Sequence, residues 1–403
     1  MRSGSFTSKR ACWSTHDALM FALLVVRNAF RHKLRTTLTI VGIVVAITAF
    51  GLLRSIVEAW YAGADATSSA RLVTRNAISL VFPMPLTYAQ KLRQVDGVSA
   101  VSWANWFGGV YISERNFFPQ FGIDADTYLD MYPEFVIAAD ERKAFLLDRN
   151  GAVAGRKLAN QYGWKLGDQI PIRGTIFPGT WTFTLRAIYD GADAKTDETQ
   201  FYFHWKLLNE TIKQRYPKRG DQVGVYIVEI RDPTRAAEIS QAIDATFKNS
   251  LAETLTETEK AFQLGFVAMT EAILLAIQAV SFVVIVIIMA VMANTMAMTA
   301  RERYGEYATL KALGFGNAYV AWLIFAESMG IALLGGALGI ALTFPLANAF
   351  AHAMGTLFPV FGVSTRTMAM QLGAALLIGV VAAGIPAWRA ARVRIVDGLR
   401  AVA

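Results

Sequence analysis

The 403 residues are 54% hydrophobic and only 17% charged, an apolar excess that a soluble chain of this length would have no core large enough to bury. The net charge of +8 invites a nucleic-acid partner, but its distribution removes that reading: residues 58–263 hold 23 Lys and Arg against 25 Asp and Glu, and the rest of the chain holds 16 against 6. The basic excess therefore accompanies the apolar segments, and no nucleic-acid partner is expected.

In chain order, residues 1–35 form a basic tail. Within it, 17–35 sets Leu19, Leu23, Val26, Phe30 and Leu34 against Arg27, Arg31, Lys33 and Arg35. That pattern predicts an amphipathic helix in the membrane interface, its basic face meeting anionic headgroups, or alternatively an extension of the span that follows. The only cysteine, Cys12, lies in this tail, so no disulfide framework exists; no cleavable signal and no lipid attachment are expected.

Four apolar blocks follow, at 36–57, 272–293, 318–344 and 368–387, each near the ~20 residues that cross a bilayer core. Arg54 interrupts the first block late, and its guanidinium is expected to snorkel to the headgroups at the end of that span. The second carries no charge over its length. The third carries Glu327, which is read either as a coupling or packing group or as one hydrated at the interface. Gly335 and Gly339 stand in small-xxx-small spacing in the third block and are read as helix-packing positions in preference to a hinge.

The fold class expected is a membrane protein with four transmembrane α-helices and an α+β extracytoplasmic domain inserted between the first and second. Lys and Arg near the span ends fix orientation: seven precede the first span, three lie in 299–317, four follow Trp388, and only Arg366 lies in 346–367. Both termini are thus placed in the cytoplasm and the insert outside. The boundaries expected are a tail at 1–35, spans at 36–57, 264–298 with an extension, 318–345 and 368–387, the external domain at 58–263, a cytoplasmic loop at 299–317, an external loop at 346–367, and a tail at 388–403.

Inside the insert, short strand and helix patterns alternate, with strand character at 78–82, 98–103, 168–172, 181–189 and 222–230. Helical patterns occupy 88–95, 154–161 and 234–247, the last with Ala237, Ile239, Ile243 and Phe247 on its apolar side. The stretches 61–77 and 251–264 are expected to connect the domain to its spans as helical extensions.

No residue set supports catalysis. The sequence contains no G-x-x-x-x-G-K-[ST] phosphate loop, its four histidines are scattered, and the acidic run at Asp124, Asp126 and Asp130 lacks the glycine and distal glutamate of a calcium loop. No catalytic, cofactor or metal site is therefore expected in this chain. The loop after the second apolar block is charged and helix-compatible: Glu302 and Glu306 fall at i, i+4 on one face, and Gly314 is placed to end the helix.

That loop, with Glu302, Arg303, Glu306, Lys311, Ala312, Leu313 and Gly314 in the pattern E-R-x-x-E-x-x-x-x-K-A-L-G, resembles the MacB/FtsX-like permease family of ABC transporters. The basic entry at 27–39, the segments 153–159 and 166–170, and the closing 386–400 are similar to the same family. Tyr307-Ala308 departs from it, standing where an isoleucine and a glycine are usual. The resemblance implies a permease subunit that pairs with a second copy or a paralogue and is driven by an ABC ATPase in trans, which binds ATP and Mg. It assigns Glu302, Arg303, Glu306, Lys311 and Gly314 to an ATPase-docking loop. It also suggests membrane lipids and a periplasmic adaptor as partners, an inner-membrane location, and export or extraction of a lipid, lipoprotein, peptide or drug. An FtsX-like regulator of an extracytoplasmic partner is the alternative.

Overall fold

The computed structural model describes residues 31–65, 67–354, 358 and 360–392. Helix α1 (Lys33–Asp65) leads into strand β1 (Arg71–Asn76), β2 (Met84–Pro85), α2 (Tyr88–Leu92), β3 (Val98–Trp106), β4 (Gly109–Val110), β5 (Gln120–Ile123) and β6 (Phe135–Val136). Helix α3 (Ala139–Leu147), β7 (Gly151–Gly155), α4 (Arg156–Tyr162), β8 (Gln169–Gly174), β9 (Gly179–Gly191), β10 (Phe201–His204) and α5 (Trp205–Arg215) follow. Next come β11 (Gln222–Val223), β12 (Val225–Ile230), α6 (Ala236–Thr246), β13 (Thr254–Thr258) and α7 (Glu259–Ala268). The described chain ends with α8 (Glu271–Glu302), α9 (Tyr304–Ala312), α10 (Asn317–Met354) and α11 (Thr365–Ala391). Two compact units result, one of residues 1–55, 275–349 and 362–403, the other of residues 56–274 and 350–361.

Among the described residues, α1, α8, α10 and α11 are long and apolar enough to cross a membrane. Each outruns the apolar block that announced it. A helix satisfies its own backbone in water as well as in lipid, so apolarity marks only the lipid-facing stretch and not the helix ends. At 33 residues α1 is ~50 Å long. The expected amphipathic helix falls outside the described residues up to position 30, and its last three positions are the first turn of α1.

Small residues let these helices meet. A Cβ added at Gly335 would stand 2.8 Å from the Ile43 Cβ, and one at Gly339 would stand 2.9 Å from the Ile47 Cβ. One at Gly336 would stand 2.5 Å from the Ala375 Cβ, so α10 presents glycine to α1 on one side and to α11 on the other. The Thr48 hydroxyl donates to the Gly339 carbonyl at 3.0 Å across that close approach. Ile40, Ile43, Ile47, Ile288, Met292, Ile331 and Ile378 fill the space between the helices.

In the other unit an eleven-stranded sheet runs in the order β13-β1-β12-β3-β5-β10-β7-β9-β8-β4, with β6 against β9. Strand β9 shows why it forms: Trp181, Phe183 and Leu185 alternate inward while Thr182 and Arg186 point to solvent, the period of a half-buried strand, and past a bulge Ala187 and Ile188 are buried on opposite faces. One core covers the β1, β12 and β3 end beneath α2 and α6, and a second covers β7 to β10. A third lies on the opposite face and joins Val73, Ile227, Ile123, Tyr202 and Tyr189 across both ends.

Several expectations change here. Residues 78–82 are an exposed loop and not a strand, with Ile78 and Val81 more than four-fifths exposed. Ala236, not Ala237, faces the core beside Ile239 and Ile243, because α6 starts only after a 3-10 turn at Pro233–Arg235. The connectors are strands as well as helices: β1 and β13 pair antiparallel from Leu72↔Thr258 to Asn76↔Thr254, so the chain enters and leaves the domain on adjacent strands. Replacing Gly339 by Val should lower the unfolding free energy of the detergent-solubilised chain by about 1–3 kcal/mol through overpacking against Ile47. Gly330, whose Cβ position meets nothing within 4 Å, serves as the control; equal effects of Gly339→Val and Gly330→Val in denaturant unfolding would remove the close-packing assignment.

Candidate functional site

Helix α8 stops at Glu302 and α9 starts at Tyr304, with Arg303 at φ −104° and ψ 12° between them. This break puts Glu302 and Glu306 on different helices, which corrects the expectation of a shared i, i+4 face. It also turns the Arg303 side chain inward. Only 6% exposed, Arg303 donates from Nη1 to Glu327 Oε2 at 2.8 Å and from Nε to Glu306 Oε2 at 3.0 Å. Its guanidinium lies 5.4 Å from the centre of the Tyr307 ring.

Glu327, 5% exposed on α10, is the counter-charge of Arg303, and it also lines a small cavity with His32, Arg35, Thr36 and Thr299. Around the pair, Ala300, Tyr307, Val320, Leu323, Ile324 and Ala390 form a small apolar core. Burial favours the neutral forms in this core: it raises the pKa of the Tyr307 phenol. Burial would raise Glu306 as well, but hydrogen bonds from Arg303 and Arg31 hold that carboxyl below the ordinary glutamate value.

The start of α1 completes the network. Arg35 donates to both oxygens of Glu302, at 2.7 and 2.8 Å, and from Nη1 to Thr299 Oγ1 at 3.3 Å. Arg31 pairs with Glu306, and His32 Nε2 stands 3.9 Å from Glu302 Oε2. Sequence reasoning assigned Arg31 and Arg35 to headgroups and missed these pairings. The signal available was two basic residues at i, i+4, matching two acids four apart in the loop.

The far end of α9 is built differently. Gly314 has φ +95°, its N–H donates to the Lys311 carbonyl at 3.0 Å, and the Phe315 N–H donates to the Leu310 carbonyl at 3.1 Å. These two bonds make a Schellman motif, which needs a left-handed residue at Gly314. Lys311 Nζ donates to the Ala390 carbonyl at 3.3 Å, a cation at the C-terminal end of α11. Leu313 and Phe315 remain 72% and 43% exposed. Glu302, Arg303, Glu306 and Glu327 thus form one cluster, Lys311 and Gly314 sit at the other end of α9, and Gly335 and Gly339 belong to the helix packing.

The model of the MacB-like periplasmic core domain matches residues 36–246, and that of the FtsX-like permease C-terminal region matches residues 279–395. The chain belongs to the MacB/FtsX-like permease family of ABC transporters. It is 24% identical over 409 aligned positions to an uncharacterized ABC transporter permease of Methanocaldococcus jannaschii, covering 95% of this chain and 98% of that one. An uncharacterized ABC transporter permease protein of Mycobacterium tuberculosis is 26% identical over 206 residues, 50% of this chain and 22% of that protein. The macrolide export ATP-binding/permease protein MacB of a Shewanella species is 26% identical over 232 residues, 57% of this chain and 35% of that protein. The chain thus spans a fifth to about a third of the length of these last two.

Breaking a buried ion pair from one side strands the other charge. Glu327→Gln should destabilise the chain by about 3–5 kcal/mol, and the double replacement Arg303→Met with Glu327→Leu should recover most of that loss in denaturant unfolding. A double variant no more stable than Glu327→Gln alone would contradict the pairing.

Proposed function

We propose that this chain is the permease subunit of an ABC transporter, coupling ATP hydrolysis by a separate ATPase to movements of its extracytoplasmic domain. Helices α1, α8, α10 and α11 are the four spans, both termini lie in the cytoplasm, and the sheet domain lies outside. The distribution of Lys and Arg supports that orientation, and the single Arg366 between α10 and α11 agrees with it. Family membership supports an ATPase partner bound in trans, with its own ATP and Mg, and a second permease copy or paralogue.

The observation that carries this reading is α9. A nine-residue helix is too short to hold its shape alone, yet this one is anchored at its start by the buried Arg303–Glu327 pair and ended by the Gly314 motif. Beyond it, exposed Leu313 and Phe315 offer an apolar surface at the tip of the loop. A rigid short helix with an apolar tip is suited to receive a partner's push and pass it to α8 and α10. The spans contain few polar groups, which favours mechanical transmission over a hydrophilic path through the bilayer. The substrate is then handled outside, as export or extraction of a lipid, lipoprotein, peptide or drug.

The test is co-purification. With its ATPase expressed alongside, the paired replacement Leu313→Asp and Phe315→Asp should reduce recovery of the ATPase at least about tenfold, an interface loss of roughly 1.4 kcal/mol or more, and abolish permease-dependent ATP turnover. Unchanged assembly and turnover would remove the docking assignment.

A further inference from the structure

At one end of the sheet domain exposed apolar side chains meet. Trp106, the last residue of β3, is two-fifths exposed, and Phe117, Ile176 and Tyr216 are each more than half exposed. The Trp106 and Phe117 rings lie 6.1 Å apart. A Cβ added at Gly108 would stand 2.9 Å from both Trp106 Nε1 and Ile176 Cδ1, which sets the indole beside the tip of the β8–β9 hairpin. Single exposed apolar residues are ordinary, but a contiguous group marks an interaction surface.

The hairpin tip is held in place. Its turn is so tight that a Cβ at Gly174 would stand 2.1 Å from the Phe177 carbonyl oxygen. Trp181 Nε1 donates to that same carbonyl at 3.0 Å, Phe107 stacks on the Phe177 ring at 5.9 Å, and Thr175 Oγ1 donates to the Gly108 carbonyl. With Phe177 drawn inward, Ile176 and Pro178 on either side are left exposed.

Cations border this tip. Arg215 Nη1 donates to the Pro178 carbonyl, and the Arg219 guanidinium lies 5.7 Å from the centre of the Tyr216 ring. Lys218 stands beside Arg219 in the 3-10 turn Pro217–Arg219. Arg173, opposite Thr180 on β9 and Val110 on β4, is exposed three residues before Ile176. Among the described residues none of these four cations is in an ion pair, whereas Arg149, Arg156, Arg186, Lys206 and Lys213 each have a carboxylate. The acid nearest in sequence, Asp221, is taken by Lys213 at 2.7 Å and by Asn209 at 3.0 Å. In the 111–117 loop Glu114 and Arg115 cancel. The rim of the apolar group is thus of one sign.

We propose that this end of the domain docks on an anionic lipid surface, with Trp106, Phe117, Ile176 and Tyr216 entering the headgroup region and Arg173, Arg215, Lys218 and Arg219 meeting phosphates. Charge complementarity selects that occupant. A protein interface has a rim of mixed polar groups, whereas apolar and aromatic side chains ringed by cations alone are the composition of an interfacial anchor. With the orientation proposed above the surface is a leaflet outside the cytoplasm, but docking itself does not depend on that orientation.

The test uses the full chain with Cys12→Ser, an environment-sensitive fluorophore attached through Ile176→Cys, held in nanodiscs of phosphatidylcholine. Added vesicles containing phosphatidylglycerol should shift the emission to shorter wavelength, and vesicles of phosphatidylcholine alone should not. Lys218→Gln with Arg219→Gln, which leaves the Arg215 bond to the hairpin in place, should raise the vesicle concentration for half the shift at least about twentyfold, roughly fivefold per charge. Phe117→Ser should raise it about fivefold with the cations intact, and Tyr216→Ser replaces it should Phe117→Ser fail to fold. A fluorophore at Leu147→Cys, an exposed position of α3, should not shift. No shift at Ile176→Cys with phosphatidylglycerol, an equal shift at Leu147→Cys, or a shift indifferent to the Lys218 and Arg219 replacements overturns the proposal. A shift with poly-glutamate and none with the vesicles would assign the surface to an acidic protein and overturns it as well.

Discussion

A guanidinium removed from water must find a carboxylate, and the arrangement around α9 follows from how Arg303 meets that demand. Glu327 is its deepest partner, so α10 must present that position toward the end of α8, and the chain must break helix at Arg303 to let the side chain turn in. Glu306 is then shared between Arg303 and Arg31, while Glu302, left outside the pair, takes Arg35. One buried charge thus orders the ends of four helices. It does so by exclusion, because any other placement leaves a charge alone in an apolar core.

The sheet domain solves the same problem where it receives the chain. Arg71, first residue of β1, donates from Nε to Glu259 at 2.7 Å, from Nη1 to the Met131 carbonyl at 2.9 Å, and to Glu134, and it stacks 4.2 Å over the Tyr132 ring. Tyr132 in turn donates to Glu259 at 3.0 Å. Burial works against the Arg71 charge, but Glu259 and Glu134 outweigh it and hold its pKa above the ordinary arginine value. Glu259 opens α7, and β1 pairs with β13, so entry and exit of the domain are fastened at one point.

Apolar blocks in the sequence located the long helices because hydrocarbon selects composition over ~20 residues. They undershot the ends, as Lys33 and Asp65 show, because nothing apolar is required once a helix leaves lipid. Strands with clean alternation, such as β9, were legible; β5, β10 and β13 were not, since central burial in β10 erases the period and the β13 run reads as a polar connector. The loop at 299–317 could be singled out from its charges, and Glu327 from its depth. Their union could not, because 24 residues separate Arg303 from Glu327 and a pairing across a core has no signature in spacing. Arg54 misled for the opposite reason. Its position near a span end suggested snorkelling, whereas it is 8% exposed, with Gly51 one turn earlier packed against Gln371 of α11.

In the proposed coupling, a push on α9 reaches the sheet domain. Its most direct measurement is a distance between spin labels attached through Asp168→Cys in a Cys12→Ser chain, reconstituted in lipid with its ATPase as the proposed permease pair. The distance distribution is expected to shift between the nucleotide-free and ATP-trapped states. Superimposable distributions in the two states, with ATP turnover intact, would contradict it.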